Sequence, residues 1–139
     1  MPLLVTFIPM LTDTGGNAGS QSSTLIIRGM AVSEIHPKNL PQVVWKELRV
    51  SVLVGLVLSV VNFIQLAIRY PGNELVALTV VLSLFATVVI AKTVGCVLPI
   101  LAKMCHADPA IMAAPLITTV VDAFALIIYF SLAQRLLGL

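Results

Sequence analysis

The sequence predicts an all-α fold, a polytopic membrane helix bundle with about four membrane helices. Hydrophobic residues make up 59% of the 139 residues and charged residues only 10%, whereas soluble domains carry about 25% charged residues. Three long stretches are dominated by Leu, Val, Ile and Ala, and a spanning helix needs about 20 such residues. These stretches lack the apolar–polar alternation of membrane β-barrel strands, so helices are the predicted elements.

The N-terminal segment begins apolar, continues as the polar tract TDTGGNAGSQSST (residues 12–24), and turns apolar again. Two interpretations are open: a short hydrophobic piece followed by a loop, or one helix of about 30 residues that shelters its polar middle within protein. We favour the helix, because polar residues at membrane depth are tolerated where they pack against protein or line a water-filled cavity.

The three apolar stretches run from about residue 50 to 68, 75 to 102 and 109 to 132. Residues 33–46 read as a loop or a surface helix, while short turns join the other helices. Lys and Arg concentrate around the first and third connections, which places those connections in the cytoplasm. The expected organisation is one multi-pass transmembrane pore domain, residues 1–139, in the cell membrane and in contact with membrane lipid.

Asp122 is the most informative residue, because an acidic side chain deep in a membrane helix costs about 2.5–3.5 kcal/mol on insertion scales. Such a residue faces a bundle interior or a water-filled path. Thr118 lies one turn earlier on the same face and Pro115 two turns earlier, which adds a hydroxyl and a carbonyl freed by proline. Carboxylate and neutral oxygens suit a hard cation such as Mg²⁺. The structural alternative is an ion pair between Asp122 and Lys92.

The polar tract holds a second group of candidate residues. Gly15 and Gly19 form a GxxxG spacing that lets two helix backbones approach closely, and we expect this helix to contribute to a homodimer interface. Asn17, Ser20 and Gln21 add polar groups that a packing motif does not require. Pore lining and packing can coexist on such a helix.

Asp108 has two interpretations. With Pro109 it forms a helix start, with Asp at the N-cap and Pro at N1. It could also give cations access to the pore from the cytoplasm. The net charge of +2 and the lack of a clustered basic patch give no support for nucleic-acid binding. No nucleophile–base pair or catalytic metal motif suggests an enzyme.

Two segments together resemble the MgtE family of magnesium channels and transporters. The segment PLLVTFIPMLTDTGGNAGSQSSTLIIRGMA resembles the helix of that family that contains GGNAGxQ. The segment DPAIMAAPLITTVVDAFALIIYF resembles its DPA…P…T…D helix. The likeness covers nearly the whole chain, and the order of the two motifs also matches.

The resemblance implies a homodimer whose pore lies on the dimer axis and is lined by these two helices from both subunits. It implies that Asp122 binds hydrated Mg²⁺, the transported ion, and that Asn17, Ala114 and Thr118 face the pore. It further implies that Mg²⁺ moves down its electrochemical gradient. Family members usually carry five membrane helices and cytoplasmic N and CBS domains, so this chain resembles their part from the second helix onward.

Two other functions are open. The chain could be a cation-coupled exchanger in which Asp122 cycles protons or sodium ions. It could also be a membrane assembly subunit that does not transport, with Asp122 paired to Lys92. Fold alone does not decide between these functions.

Overall fold

The computed structural model describes residues 2–139, which are helical apart from short connections. The α-helices are α1 (Pro2–Thr6), α2 (Ile8–Ala31), α3 (Leu40–Arg69), α4 (Glu74–Met104) and α5 (Ala114–Leu137). Helices α3, α4 and α5 are long and apolar enough to cross a membrane, and α2 is the fourth long helix of the bundle. The predicted all-α membrane bundle of about four helices is confirmed.

The polar tract is helical from end to end, so the loop interpretation of the N-terminal segment is wrong. Helix α2 covers all of residues 12–24 and continues to Ala31. The break between α1 and α2 falls at Phe7, two residues before Pro9. Proline lacks an N–H group and its ring collides with the carbonyl four residues earlier, which accounts for a break at this point.

Helix α4 lies at the centre of the bundle and packs against α2, α3 and α5. Its contact with α2 is made by backbone, because a Cβ atom added to Gly95 would overlap the backbone of Gly19. Gly15 lies against Thr87 of α4 and Val121 of α5. The GxxxG pair therefore packs α2 within the chain, and a contribution of this helix to a homodimer interface stays a prediction.

Helices α2 and α5 are antiparallel neighbours. Gly16 of α2 lies against Thr118 of α5, and Ser23, further along α2, donates to the carbonyl of Met112, just before α5. In the preceding helix α1, the carbonyl of Leu4 accepts a hydrogen bond of 2.8 Å from the hydroxyl of Tyr129, further along α5. Residue numbers therefore rise along one helix as they fall along the other. The middle of the polar tract lies beside the first half of α5.

The start of α5 differs from the sequence-based expectation. Asp108 caps a 3₁₀ turn, Pro109–Met112, by accepting a hydrogen bond of 3.0 Å from the Ala110 N–H. The chain is then extended at Ala113 (ψ 177°), and α5 begins at Ala114. A continuous helix would have set the Pro115 ring against the Ile111 carbonyl. The break instead puts Pro115 in the first turn, where a missing N–H costs nothing.

The sequence suggested that Pro115 frees a carbonyl inside a helix. Because of this break, that expectation is wrong. Asp108 and Asp122 also do not lie on one helix. At the same end of the bundle, residues 40–46 form the first two turns of α3, whereas residues 33–39 form turns and a 3₁₀ helix. The helical alternative is therefore correct for the second half of that connection. The Trp45 ring is exposed there and lies 6.0 Å from the Arg49 guanidinium, a pairing suited to a membrane interface.

Candidate functional site

A polar groove of about 370 Å³ lies between α2 and α5. Its wall is made by residues from the first half of α2 and from α5: Pro9, Thr12, Asp13, Gly16, Asn17, Thr118 and Asp122. Both helices belong to the bundle that spans the membrane. The groove therefore exposes carboxylates, hydroxyls and an amide where the surrounding helices are mostly apolar.

Helical spacing explains why these side chains share one groove. Asp13 and Asn17 are four residues apart on α2, and Thr118 and Asp122 are four residues apart on α5, so each pair lies on one helix face. Gly16 lies between the α2 residues and allows close approach, since a Cβ atom there would be 3.1 Å from Thr118 Cγ2. The absence of a side chain at Gly16 thus brings the two polar faces together.

The charge in the groove is negative. Asp13 and Asp122 are its charged residues, and within residues 2–139 neither makes an ion pair. Lys92, the basic residue that the sequence offered as a partner for Asp122, lies 3.2 Å from the Glu47 carboxylate instead. The described part of the chain therefore leaves the Asp122 carboxylate uncompensated, which favours a cation in the groove.

The hydroxyl groups of the groove are oriented as acceptors. Thr118 donates its hydroxyl hydrogen to the carbonyl of Pro115 at 3.0 Å, and Thr12 donates to the carbonyl of Ile8 at 3.1 Å. Once its hydrogen is used, a hydroxyl oxygen has only lone pairs to offer. Both oxygens can then accept hydrogen bonds from the water shell of a cation.

The other predicted site residues lie outside the groove wall. Ala114 is the exposed first residue of α5, one turn before Thr118. Asp108 lines a separate cavity of about 210 Å³ together with Lys103 and Pro109. The structure thus brings Asn17, Thr118 and Asp122 together, and it places Ala114 and Asp108 toward the end of the bundle where α5 begins.

The sequence-based reasoning missed two polar groove residues, Thr12 and the charged Asp13. The position of Asp13 one turn before Asn17 on a polar helix face was the available indication. Residues 2–139 contain no group of three or more His, Cys, Asp or Glu side chains that could hold a metal ion directly. The donors available to a cation in the groove are carboxylates, threonine hydroxyls and the Asn17 amide.

Comparison with known proteins gives one consistent result. The family model MgtE, described as a divalent cation transporter, matches residues 8–132. The chain is 38% identical to the magnesium transporter MgtE of Bacillus subtilis over 130 residues, which is 94% of this chain. It is also 38% identical to that of Thermus thermophilus over 135 residues and 26% identical to that of Enterococcus faecalis over 132 residues.

The chain spans 29% of the length of each of these relatives. The match includes the groove residues of α2 and α5, and it runs from the start of α2 into the second half of α5. With its long apolar helices, the chain is a multi-pass membrane protein of the cell membrane. The chain belongs to the MgtE family of divalent cation transporters.

Proposed function

We propose that this chain forms the pore domain of a magnesium transporter and that hydrated Mg²⁺ binds in the groove through Asp122. The ion would pass down its electrochemical gradient through a pore on the axis of a homodimer. The observation that carries the proposal is the groove itself, in which Asp122 has no basic partner and faces neutral oxygen donors. The relatives from Bacillus subtilis and Thermus thermophilus are magnesium transporters by name, which agrees with this chemistry.

The groove suits a hydrated ion in size. Mg²⁺ prefers six ligands in octahedral geometry and gives up its waters reluctantly. Six waters at about 30 Å³ each occupy about 180 Å³, which is less than the groove volume of about 370 Å³. The ion can therefore keep its water shell in the groove.

The donors of the groove also suit a hydrated ion. Water bound to Mg²⁺ donates hydrogen bonds outward, so the shell requires acceptors around it. The carboxylates of Asp122 and Asp13, the hydroxyl oxygens of Thr12 and Thr118 and the Asn17 carbonyl oxygen are all acceptors. Ion selectivity in such a site would depend on the strength of the charge and on the fit of the water shell.

A second copy of the chain is the proposed cover for the groove. Asp13 and Asn17 are exposed in the single chain, and exposed polar residues at membrane depth need shelter from lipid. A two-fold axis beside the groove would bring two copies of Asp122 toward one ion path. That arrangement would place up to four carboxylates around a dication, two from each subunit.

Ala114 and Asp108 would belong to the cytoplasmic side of the same path. Ala114 lies one turn before Thr118 on α5, where its small side chain would leave room for water. Asp108 is exposed beyond the helix break, where its negative charge would attract cations to the pore mouth. One Asp108 oxygen accepts a hydrogen bond from the Ala110 N–H. This bond does not neutralise the carboxylate, which can still attract cations.

Magnesium uptake by liposomes that contain only this chain tests the proposal. The wild-type chain should carry Mg²⁺ inward along a magnesium gradient, whereas Asp122→Asn should reduce uptake to the level of empty liposomes. Asparagine keeps the size of the side chain and one oxygen but removes the charge. Glu74→Gln is the matched control, because Glu74 is an exposed carboxylate in the first turn of α4 and outside the groove.

Two further measurements separate the alternatives. An exchanger would move Mg²⁺ in response to a proton or sodium gradient without a magnesium gradient. A structural Asp122 would make Asp122→Asn unfold or dissociate, so thermal stability and molecular mass should be measured on the same samples. Wild-type uptake by a folded Asp122→Asn protein would show that Asp122 is not the ion site.

A further inference from the structure

A polar network joins α2, α3 and α4 away from the groove, and it lines a cavity of about 510 Å³. Gln21 is exposed and Glu47 is partly buried. Lys92 Nζ of α4 lies 3.2 Å from Glu47 Oε1 of α3, and it donates a hydrogen bond of 3.4 Å to the side-chain oxygen of Gln21 on α2. The hydroxyl of Ser22, also on α2, donates to the same Glu47 oxygen. Lys92 is 2% exposed and Ser22 is fully buried.

The network divides the polar tract into two parts. Asp13, Gly16 and Asn17 line the groove, whereas Gln21 and Ser22 bind the ion pair. Ser22 lies five positions after Asn17, and at 100° per residue the two side chains point about 140° apart around the helix. Gln21 lies four positions after Asn17 and points about 40° away from it. Neither Gln21 nor Ser22 lines the groove, and the proposed pore does not explain why Ser22 is polar.

The packing of α2 indicates a role for the network in orienting this helix. Gly19 and Gly95 meet backbone to backbone, which brings α2 and α4 close together. Glycines present no side-chain ridges, however, and ridges are what set the angle and rotation of packed helices. Helices α2 and α3 have little direct contact apart from the Ser22–Glu47 hydrogen bond. Directional polar contacts at Gln21 and Ser22 can add a rotational constraint to the one that the buried side chains of α2 and the Ser23–Met112 hydrogen bond provide.

The position of the ion pair supports the same role. Charged side chains inside membrane helices are costly, and those that occur are paired and functional. A buried ion pair is weak evidence for stability, since apolar residues of similar size often stabilise as well. Its better-attested use is to specify one arrangement among several.

We propose that the Glu47–Lys92 ion pair is a positioning device that acts through Gln21 and Ser22. It fixes the rotation of α2 about its axis, so that Asp13 and Asn17 face Asp122 across the groove. A rotation of about 20° would move a side chain at a radius of about 5 Å by about 2 Å, which is enough to break a hydrogen bond of about 2.9 Å. The inference rests on the function proposed for the groove.

The test removes both charges together. Glu47→Gln with Lys92→Met avoids a lone buried charge, which would unfold the protein for reasons unrelated to positioning. Magnesium binding by the purified chain is measured by titration calorimetry, and uptake is measured in liposomes over a range of Mg²⁺ concentrations. We expect an assembled protein with a dissociation constant raised about tenfold and a similar rise in the half-saturating concentration, about 1.4 kcal/mol in binding free energy.

The matched control is Ser59→Ala. Ser59 is a buried serine of α3 that donates to the Val81 carbonyl of α4 at 3.4 Å, so it joins α3 to α4 without touching α2. Its removal should leave magnesium binding unchanged. The swapped pair, Glu47→Lys with Lys92→Glu, restores an ion pair that Ser22 and Gln21 can still bind with reversed donor roles. It should recover part of the lost affinity.

Each outcome decides one claim. A double-neutral protein that assembles and binds Mg²⁺ like the wild type overturns the positioning role while the groove function stands. A wild-type chain that binds no Mg²⁺ overturns the groove function itself. If the double variant does not assemble, Gln21→Leu with Ser22→Ala removes the α2 side of the network and leaves the ion pair intact. Unchanged magnesium binding by that variant also overturns the positioning role.

Discussion

Lys92 pairs with Glu47 at 3.2 Å and not with Asp122. The basic side chain inside α4 therefore neutralises a carboxylate of α3, on a different part of the bundle from the groove. Asp122 keeps its negative charge without a basic partner in residues 2–139. An ion pair between Asp122 and Lys92, the basis of the assembly-subunit hypothesis, does not form in this structure.

The second groove carboxylate gives the first prediction. Asp13→Asn should weaken magnesium binding about tenfold without changing the fold. A carboxylate and a dication about 5 Å apart in water attract each other by about 1–2 kcal/mol, and the substitution removes that attraction. Calorimetric titration of the purified protein measures the change.

Glu34→Gln is the control for Asp13→Asn, because Glu34 is an exposed carboxylate in the turn after α2. It makes the same chemical change outside the groove and should not alter binding. Equal weakening by both substitutions would mean that overall charge, and not the groove, governs magnesium affinity.

The second prediction concerns the dimer axis. In a Cys105→Ser background, which removes the exposed thiol, a cysteine at Asn17 should form a disulfide between two chains in mild oxidant. The reason is that the proposed two-fold axis lies beside the groove and the exposed Asn17. Non-reducing gel electrophoresis of protein in membranes measures the fraction cross-linked.

Val57→Cys is the comparison for the cross-linking experiment. Val57 is exposed on α3, which contributes nothing to the groove. Cross-linking at Val57 and not at position 17 would place the interface between subunits on α3 and contradict a pore lined by α2.

The third prediction tests the backbone contact of α2 with α4. Gly95→Ala should destabilise the protein by about 1–3 kcal/mol, because its Cβ would overlap the backbone of Gly19 and backbone cannot move aside as a side chain can. Thermal unfolding in detergent measures the loss. Ala67→Val, which adds methyl groups at an exposed position of α3, should leave the melting temperature nearly unchanged.

The fourth prediction concerns the link between α1 and α5. Tyr129→Phe removes the buried hydrogen bond to the Leu4 carbonyl and leaves that carbonyl without its partner, at a cost of about 1–3 kcal/mol. Tyr70→Phe is the control, because the Tyr70 ring meets Phe7 edge to face and phenylalanine keeps that contact. A melting temperature lowered equally by both substitutions would argue against the hydrogen bond as the cause.

Much of the fold could be predicted from the sequence because the bilayer imposes simple rules. Long apolar stretches must be helical to satisfy their backbone polar groups, and this correctly gave α3, α4 and α5. The polar tract needed a further inference, that polar helices survive where protein shelters them. Helix α2 meets that condition, since Gly15 and Gly19 are buried against α4 and α5.

The start of α5 and the pairing of Lys92 could not be predicted in the same way. The Asp-Pro pair at 108–109 is a good start for a 3₁₀ turn as well as for an α-helix. The choice depends on whether the Pro115 ring would collide with the Ile111 carbonyl, which the sequence pattern alone does not show. Only Asp122 was considered as a partner for Lys92, and helical periodicity does not say which helix faces Lys92. The sequence did identify Asn17, Thr118 and Asp122 as candidate site residues, whereas Asp13 was overlooked.

The central position of α4 has a consequence for the order of membrane insertion. Helix α2 is made before α4 and α5, yet α4 and α5 cover its small and polar residues. While the ribosome is still making α3, helices α4 and α5 cannot yet shelter the polar tract, and unsatisfied polar groups are costly in lipid. Helices α3 and α4 are apolar enough to enter the bilayer unaided. Stable burial of α2 must therefore wait for helices that leave the ribosome after it, which makes its shelter a late step of folding.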